Sequence, residues 1–496
     1  MGNSPDKKSG AAVVAGMSVL TLAIMNITAV VSLRGLPAEA EYGLSSIFYY
    51  VFAAIFFLIP VSLVAAELAT GWPEKGGVFR WVGEAFGPKW GFVAIFLLWI
   101  ESTIWFPTVL TFAAVSLAFI GPHQAANQAL AGNKLYTIAI VLLIYWAATF
   151  FTLRGIKSSS GIAKWGGLVG TIVPGAFIIA LGIFYLFQGR PLQIPMGWGK
   201  LIPDLSNFNN LVLAASIFLF YAGMEMNALH VKDVKNPTRN YPLAILIASL
   251  GTVAIFVLGT LAIGFIIPKA QINLVQSLLV AYGDFLKVFG LSWLAPLVAL
   301  ALAFGVLGGV TVWVAGPSAG MAVVGRAGYL PPLFQKLNKQ GVASRILLVQ
   351  GLIVTLLSII FVVLPSVQAA YQILGQLTVT LYLIMYLLMF SAAIYLRLSQ
   401  PNTPRPYKVP GGKFGIWIIG GGGLIGSLLA FVLSFIPPSQ ISVGSPTVYI
   451  SFLIGGNIFF LAIPLIIYAL RKPGWKTAEG SVDFKPFTNK GIGGRQ

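Results

Sequence analysis

The sequence predicts an all-α, polytopic membrane protein of twelve transmembrane helices. Three observations predict it. Of the 496 residues, 57% are hydrophobic and only 9% charged, far too apolar for a soluble chain of this length. Apolar runs of the roughly 20 residues needed to cross a bilayer recur from end to end, with no long polar insertion between them. Lysine and arginine collect in alternate connectors, as they do when such runs are threaded through a membrane. One membrane domain, residues 11–470, therefore accounts for nearly the whole chain, between an N-terminal tail (1–10) and a C-terminal tail (471–496).

Taken in order, the spans are 11–36, 44–69, 91–121, 135–153, 165–188, 210–231, 242–267, 291–325, 346–364, 370–396, 414–436 and 447–470. Each is read as a helix, because hydrocarbon offers no water to satisfy free backbone groups. The first begins after MGNSPDKKSG, is longer than a signal-peptide core and lacks a clear cleavage site, so it reads as a retained helix. A myristoylation pattern at Gly2 fails because Asp6 stands where Ser or Thr is required. With the N-terminus inside, only Arg34, Lys134, Arg190, Lys200, Lys269 and Lys287 of the 31 basic residues fall on the outer side. Both termini are thus expected in the cytoplasm. The net charge of +18 is a consequence of topology, and no nucleic-acid partner is needed to explain it. Two connectors stand out. Residues 73–88 are amphipathic, with Trp81 and Phe86, and read as a helix lying on the inner membrane face, and Ile272–Phe289 reads as a surface helix over an outer entrance; ordinary connectors are the competing reading for both.

Chemistry is bounded by what is missing. With no cysteine and two histidines, neither a disulfide framework nor a metal site is available, and no cofactor is called for. The chain has no HExxH, phosphate-binding loop or paired intramembrane carboxylates, so it is not expected to be an enzyme. Glycine patches such as Gly420 to Gly426 read as helix packing.

Of the thirteen acidic residues, only Glu67, Glu101 and Glu225 fall within apolar runs. A charge at the bilayer centre costs roughly 2.5–3.5 kcal/mol on insertion scales, so each is a candidate gate or proton-coupling group. Glu67, in AAELATGW, lies near the inner end of its helix, where snorkelling to interfacial water and a structural or gating role both fit. Glu101, flanked by Trp99 and Trp105, fits a local hydrogen bond to Ser102, Thr103 or a neighbouring helix. Glu225 differs, because it follows Ala222, Gly223 and Met224 in the run IFLFYAGMEMNALHVKDVKNPTRNYP (217–242). An unwound segment there frees backbone groups that hydrocarbon tolerates only around a cavity and a polar ligand. The ends of the two half-helices then offer partial charges of both signs, which suits a zwitterion. If the chain is an inverted repeat, the counterpart of this span is the first, where Asn26, Thr28 and Ser32 interrupt apolar residues ahead of Arg34, Gly35 and Pro37. Plain helix, with hydroxyls bonded back to their own carbonyls, is the competing reading.

These pieces carry a family resemblance. PVSLVAAELATGWPEKGGVFRWVGEAFGPKWGF (60–92), YAGMEMNALHVKDVKNPTRNYPLA (221–244), GPSAGM with GYLPPLFQKLNKQGV (316–342), LTVTLYLIMYLLMF (377–390) and RPYKVPGGK (405–413) together resemble the amino acid-polyamine-organocation superfamily of transporters, and within it the bacterial glutamate/γ-aminobutyrate antiporters. The resemblance implies a LeuT-like fold: two inverted five-helix repeats (about 11–188 and 210–396) plus two further helices (414–470), with the first and sixth helices discontinuous. It also implies a bacterial inner-membrane location. Substrate is then expected against Thr28, Ala29, Val30, Val31 and Ser32 of the first helix, Leu219, Tyr221, Ala222, Gly223 and Glu225 of the sixth, Thr311 and Trp313 of the eighth, and Tyr382 and Tyr386 of the tenth. The first helix departs from many members in having no glycine pair at its break. The short basic tail after Arg471 also carries no histidine, so gating by a C-terminal plug is not carried over.

The implied function is secondary transport exchanging an amino acid for its decarboxylation product, with glutamate and γ-aminobutyrate the lead pair. Arginine/agmatine-like and tyrosine/tyramine-like exchange stay open within the same class, and a solute sensor or channel outside it. A homodimer stays open as the assembled form.

Overall fold

A bilayer core asks for about 20 apolar helical residues, and among the described residues ten helices meet that length and composition. The computed structural model describes residues 18–74, 76–155, 165–203, 212–225, 234–438, 443–477 and 487. In chain order the helices are α1 (Val19–Val30), α2 (Leu36–Ala40), α3 (Gly43–Gly71), α4 (Val78–Phe86), α5 (Pro88–Ala118), α6 (Gln124–Ala131), α7 (Lys134–Leu153) and α8 (Trp165–Phe187). They continue as α9 (Ser216–Tyr221), α10 (Thr238–Ile266), α11 (Ser277–Val288), α12 (Ser292–Tyr329), α13 (Ser344–Val363), α14 (Val367–Ser399), α15 (Gly412–Ser434) and α16 (Pro446–Ala469). No β-strand occurs among the described residues.

The predicted spans 11–36 and 210–231 are not among the ten, for a physical reason. The described part of each is divided into short helices. Ten spans of the predicted twelve are therefore continuous helices, close to their predicted bounds.

Burial separates a centre from a shell. α5 is almost wholly enclosed and α14 largely so, whereas α7 and α16 turn most of their residues outward. The outward side chains are apolar, among them Leu143, Leu356, Ile425 and Phe459, as a surface facing lipid tails requires. In α3 and α8 a π-turn (Ala54–Leu58, Leu168–Ile172) precedes a proline, Pro60 and Pro174. Proline has no N–H to give the carbonyl one turn back, and the widened turn absorbs the lost bond. α8 meets α12 through glycines: a Cβ on Gly305 would stand 2.6 Å from the Gly170 carbonyl oxygen, and one on Gly166 would stand 2.9 Å from the Gly308 Cα. Only residues without side chains let two backbones approach so closely.

Both connectors predicted as surface helices are helical, but the first is not on the surface. From Val78 to Ala85 every residue of α4 is buried, with Arg80 Nη2 3.0 Å from Glu84 Oε2. The amphipathic pattern arose because a buried ion pair, Arg80 with Glu84, occupies one face. Phe487 from the C-terminal tail closes over it, 4.9 Å from the Arg80 guanidinium. α11 packs Leu278, Tyr282, Phe285 and Leu286 inward, and its Asp284 accepts from Gln124 of α6 at 3.2 Å. It packs against α8, α10 and α12.

Candidate functional site

The site is built where the sixth predicted span stops being a helix. α9 ends at Tyr221, Ala222 is extended (φ −72°, ψ 154°) and Gly223 has φ 111°. That left-handed value is one that L-residues with a Cβ avoid, so glycine is required at this turn. Glu225, just beyond it, is buried at 3% exposure. Its carboxylate is held from α14: the Tyr382 hydroxyl donates to Oε1 and the Tyr386 hydroxyl donates to Oε2 at 2.6 Å. The Gly223 N–H lies 3.2 Å from both Glu225 Oε2 and the Tyr386 oxygen. The two tyrosines stand one turn apart, with ring centroids 4.6 Å apart. A freed backbone N–H, a buried carboxylate and two phenols thus satisfy one another, which is how an interrupted helix becomes tolerable away from water.

The first predicted span is interrupted differently. α1 ends at Val30, Val31 (φ −66°, ψ 119°) and Ser32 (φ −132°, ψ 112°) are extended, and a 3-10 turn (Leu33–Gly35) leads into α2. Extended backbone is open to any residue, β-branched ones included, which explains how this break forms without the glycine pair. Val30 and Val31 are buried and Ser32 is half-buried. The side chains of Thr28, Ala29 and Thr311 lie outside the described residues.

The remaining residues expected at the site stand in separate surroundings. Tyr221 is buried but turned away from Glu225, donating to the Tyr50 carbonyl of α3 at 3.3 Å and packing on Phe256 of α10. Leu219 and Ala222 are half-buried against the core. Trp313 of α12 lies tilted at 51° against Trp105 of α5, with centroids 5.7 Å apart, and Trp105 in turn lies beside Arg34. Glu101 is buried at 2% exposure. The expected local bond to Ser102 or Thr103 is not made, because both hydroxyls bond back to the Trp99 carbonyl; Glu101 Oε1 has no hydrogen-bond partner.

Glu67 neither snorkels nor joins Glu225. It sits at the basic end with Arg405 Nη1 3.0 Å from Oε1, Arg397 against Oε2 and the Val409 N–H donating to Oε2 at 2.8 Å. Arg405 also donates to the Leu396 and Gln400 carbonyls, and Arg397 to those of Val409 and Gly412. Here a carboxylate of α3 clasps the end of α14 and the connector to α15. The sequence signal existed in RPYKVPGGK, but nothing local pairs that run with a glutamate some 340 residues earlier.

Comparison with known proteins agrees with this architecture. The family model described as amino acid permease matches residues 17–459. An uncharacterized transporter of Legionella pneumophila is 42% identical over 451 residues, covering 90% of this chain and 95% of the relative. A glutamate/gamma-aminobutyrate antiporter of Lactococcus lactis is 32% identical over 455 residues, 90% of each chain. A probable agmatine/putrescine antiporter of the same species is 24% identical over 452 residues, 90% of this chain and 93% of the relative. The match runs through both interrupted segments, the Glu225 cluster and the Glu67 clasp, and so the chain belongs to the amino acid permease family: it is a membrane transporter, not an enzyme.

Proposed function

We propose that this transporter exchanges glutamate for γ-aminobutyrate by alternating access, with the solute held between the interrupted segments at Val31–Ser32 and Ala222–Gly223. The observation that carries the reading is the Gly223 turn braced by Glu225, Tyr382 and Tyr386; the antiporters 32% identical over 90% of the chain supply the substrate pair. In the proposed cycle, carbonyls near Gly223 hold the ammonium and N–H groups of the first interruption hold a carboxylate. Glu225 stabilises the turn or binds a proton. The two interrupted segments complete twelve spans as inverted repeats, with both termini in the cytoplasm of a bacterium. Because decarboxylation inside the cell consumes a proton, exchange would export acidity.

Motion is proposed as a bundle of α1, α2, α3, α9 and α10 rocking against the rest. Hydrogen bonds within that bundle support the reading: Tyr50 with Thr260 at 2.9 Å, Thr260 to the Leu36 carbonyl at 3.3 Å and Ser216 to Glu39 at 2.9 Å. They tie α2, α3, α9 and α10 to one another, and α1 packs on α10, as a rigid body needs. Agmatine/putrescine-like exchange is the second reading, favoured by the relative at 24% identity. Vesicles loaded with γ-aminobutyrate and offered labelled glutamate, arginine, tyrosine or agmatine separate the two. Counterflow of glutamate is expected; counterflow driven only by a dicationic amine refutes the glutamate reading.

A further inference from the structure

Four arginines are buried among the described residues: Arg34, Arg80, Arg397 and Arg405. Three have a carboxylate, Arg80 with Glu84 and the other two with Glu67. Arg34, 4% exposed, has none. Its Nη1 donates to the Tyr371 hydroxyl at 3.1 Å and, at 3.5 Å, to Thr108 Oγ1, both neutral, and its Nε has no hydrogen-bond partner. Around it stand the rings of Phe220, Trp105 and Tyr371, at 5.3, 5.5 and 6.0 Å. Glu39, the acidic residue of the adjoining α2, is engaged with Ser216 instead.

A guanidinium out of water with no counter-ion is costly. Cation–π attraction from three rings offsets part of that and holds the group in place, yet it leaves the Nε edge of the planar fork without a partner and able to grip a carboxylate. The position matters as much as the charge. Arg34 is two residues beyond Ser32 at the first interruption, and Phe220 three residues before Gly223 at the second. Thr108 and Trp105 belong to α5, and Tyr371 to α14, the helix that also carries Tyr382 and Tyr386. α9, with the turn that follows it, and α14 therefore reach both places, Arg34 through Phe220 and Tyr371 and the Glu225 turn through Gly223, Tyr382 and Tyr386.

We propose that Arg34 receives the carboxylate at the far end of the solute from the α-amino carbon, the carboxylate that glutamate and γ-aminobutyrate share and that decarboxylation leaves in place. This deepens the exchange reading and rests on it. Arg34 then selects solutes ending in a carboxylate over those ending in an amide, and repels diamines, whose second charge has the sign of its own.

The test compares wild type, Arg34→Gln and Arg34→Lys, each purified as the full chain. Binding and counterflow of glutamate, glutamine, γ-aminobutyrate and putrescine are measured in proteoliposomes, and thermal stabilisation by glutarate, a dicarboxylate without an amine, is measured in detergent. In Arg34→Gln the preference for glutamate over glutamine should fall by about 10-fold to 100-fold, the size of one charge-assisted hydrogen bond. Stabilisation by glutarate should vanish and putrescine should gain relative to γ-aminobutyrate. Arg34→Lys, which keeps the charge and loses the fork, should retain most of the discrimination against putrescine. An unchanged glutamate-to-glutamine ratio in folded Arg34→Gln, or equal losses for all four solutes, overturns the assignment while leaving the exchange reading intact. A wild type that ignores both glutamate and γ-aminobutyrate refutes the exchange reading. In that case Arg34 keeps its role only if glutarate still stabilises the wild type and not Arg34→Gln.

Discussion

Replacing Glu225 tests the brace at the sixth interruption most directly. The carboxylate accepts from three donors: Tyr382 at Oε1, and Tyr386 and the Gly223 N–H at Oε2. In Glu225→Gln the amide oxygen can stand where Oε2 stood and keep two of them. The amide nitrogen then faces Tyr382, whose hydroxyl must turn to accept. Bonds to an ionised carboxylate are worth about 1.5–3 kcal/mol against 0.5–1.5 kcal/mol for neutral ones, so the exchange costs on the order of 2 kcal/mol, or about 30-fold in an equilibrium. Glu225→Ala loses all three and buries two phenols without that acceptor, and should be the worse of the two. Counterflow in vesicles gives the functional loss, and a cycle pairing Glu225→Gln with Tyr386→Phe gives the coupling, expected to exceed about 1 kcal/mol for groups in direct contact. Counterflow within twofold of wild type in Glu225→Gln, together with additive single effects, would refute the claim that this carboxylate holds the turn.

Three other perturbations follow from the packing and the charges. Glu67→Ala removes the acceptor shared by Arg397 and Arg405 and strands two buried guanidinium groups; a loss of about 3–5 kcal/mol is expected, read as a large fall in thermal midpoint, with solute preference in the surviving fraction unaltered. Glu41, in the connector between α2 and α3, has its carboxyl pushed from an ordinary 4.5 up to about 7 by burial, with Lys269 at 3.9 Å opposing the rise. A carboxyl raised in the folded state favours folding when protonated, so its contribution declines as pH climbs from about 4.5 to about 7; Glu41→Gln should flatten thermal stability across that window. Gly305→Ala presses a methyl onto the Gly170 carbonyl and should lower stability by about 1–3 kcal/mol, whereas Gly309→Ala, with no neighbour within 4 Å, should be neutral or slightly stabilising.

Much of this arrangement was legible in sequence because it depends on local physics. Long apolar runs locate ten continuous helices, and a glycine placed two residues before an intramembrane glutamate marks the sixth-span turn. The first interruption was harder to read. It uses extended Val31 and Ser32, conformations that leave no residue signature, where the other break needs Gly223 at positive φ. Residues 73–88 misled for a different reason: amphipathicity reports that one side is polar, and here the polar side is met by an ion pair inside the protein rather than by lipid headgroups. The partners of Arg34 and Glu67 lie between about 70 and 340 residues away, and no window along the chain contains both ends of such a contact.

A regularity along α14 was present in the sequence all the same. Tyr371, Tyr382, Tyr386 and Arg397 are separated by eleven, four and eleven residues, spacings that keep them near one face of a helix. Over 26 residues at 1.5 Å each, that face extends about 39 Å, more than the roughly 30 Å hydrocarbon core. Each of the four meets a charged residue of the proposed moving bundle: Tyr371 meets Arg34, Tyr382 and Tyr386 meet Glu225, and Arg397 meets Glu67. Within the bundle the ties among Tyr50, Thr260 and Leu36 are uncharged, and Ser216 donates to the Glu39 carboxylate. If the bundle rocks against α14, opening one face must release the link at that end while the other persists, so the Arg34 and Glu67 links should break in alternation. Cysteine pairs replacing Arg34 and Tyr371, or Glu67 and Arg397, in this cysteine-free chain should arrest, on oxidation, whatever exchange the substitutions themselves leave, and restore it on reduction. Full turnover with either pair locked would rule out α14 as the fixed face of the cycle.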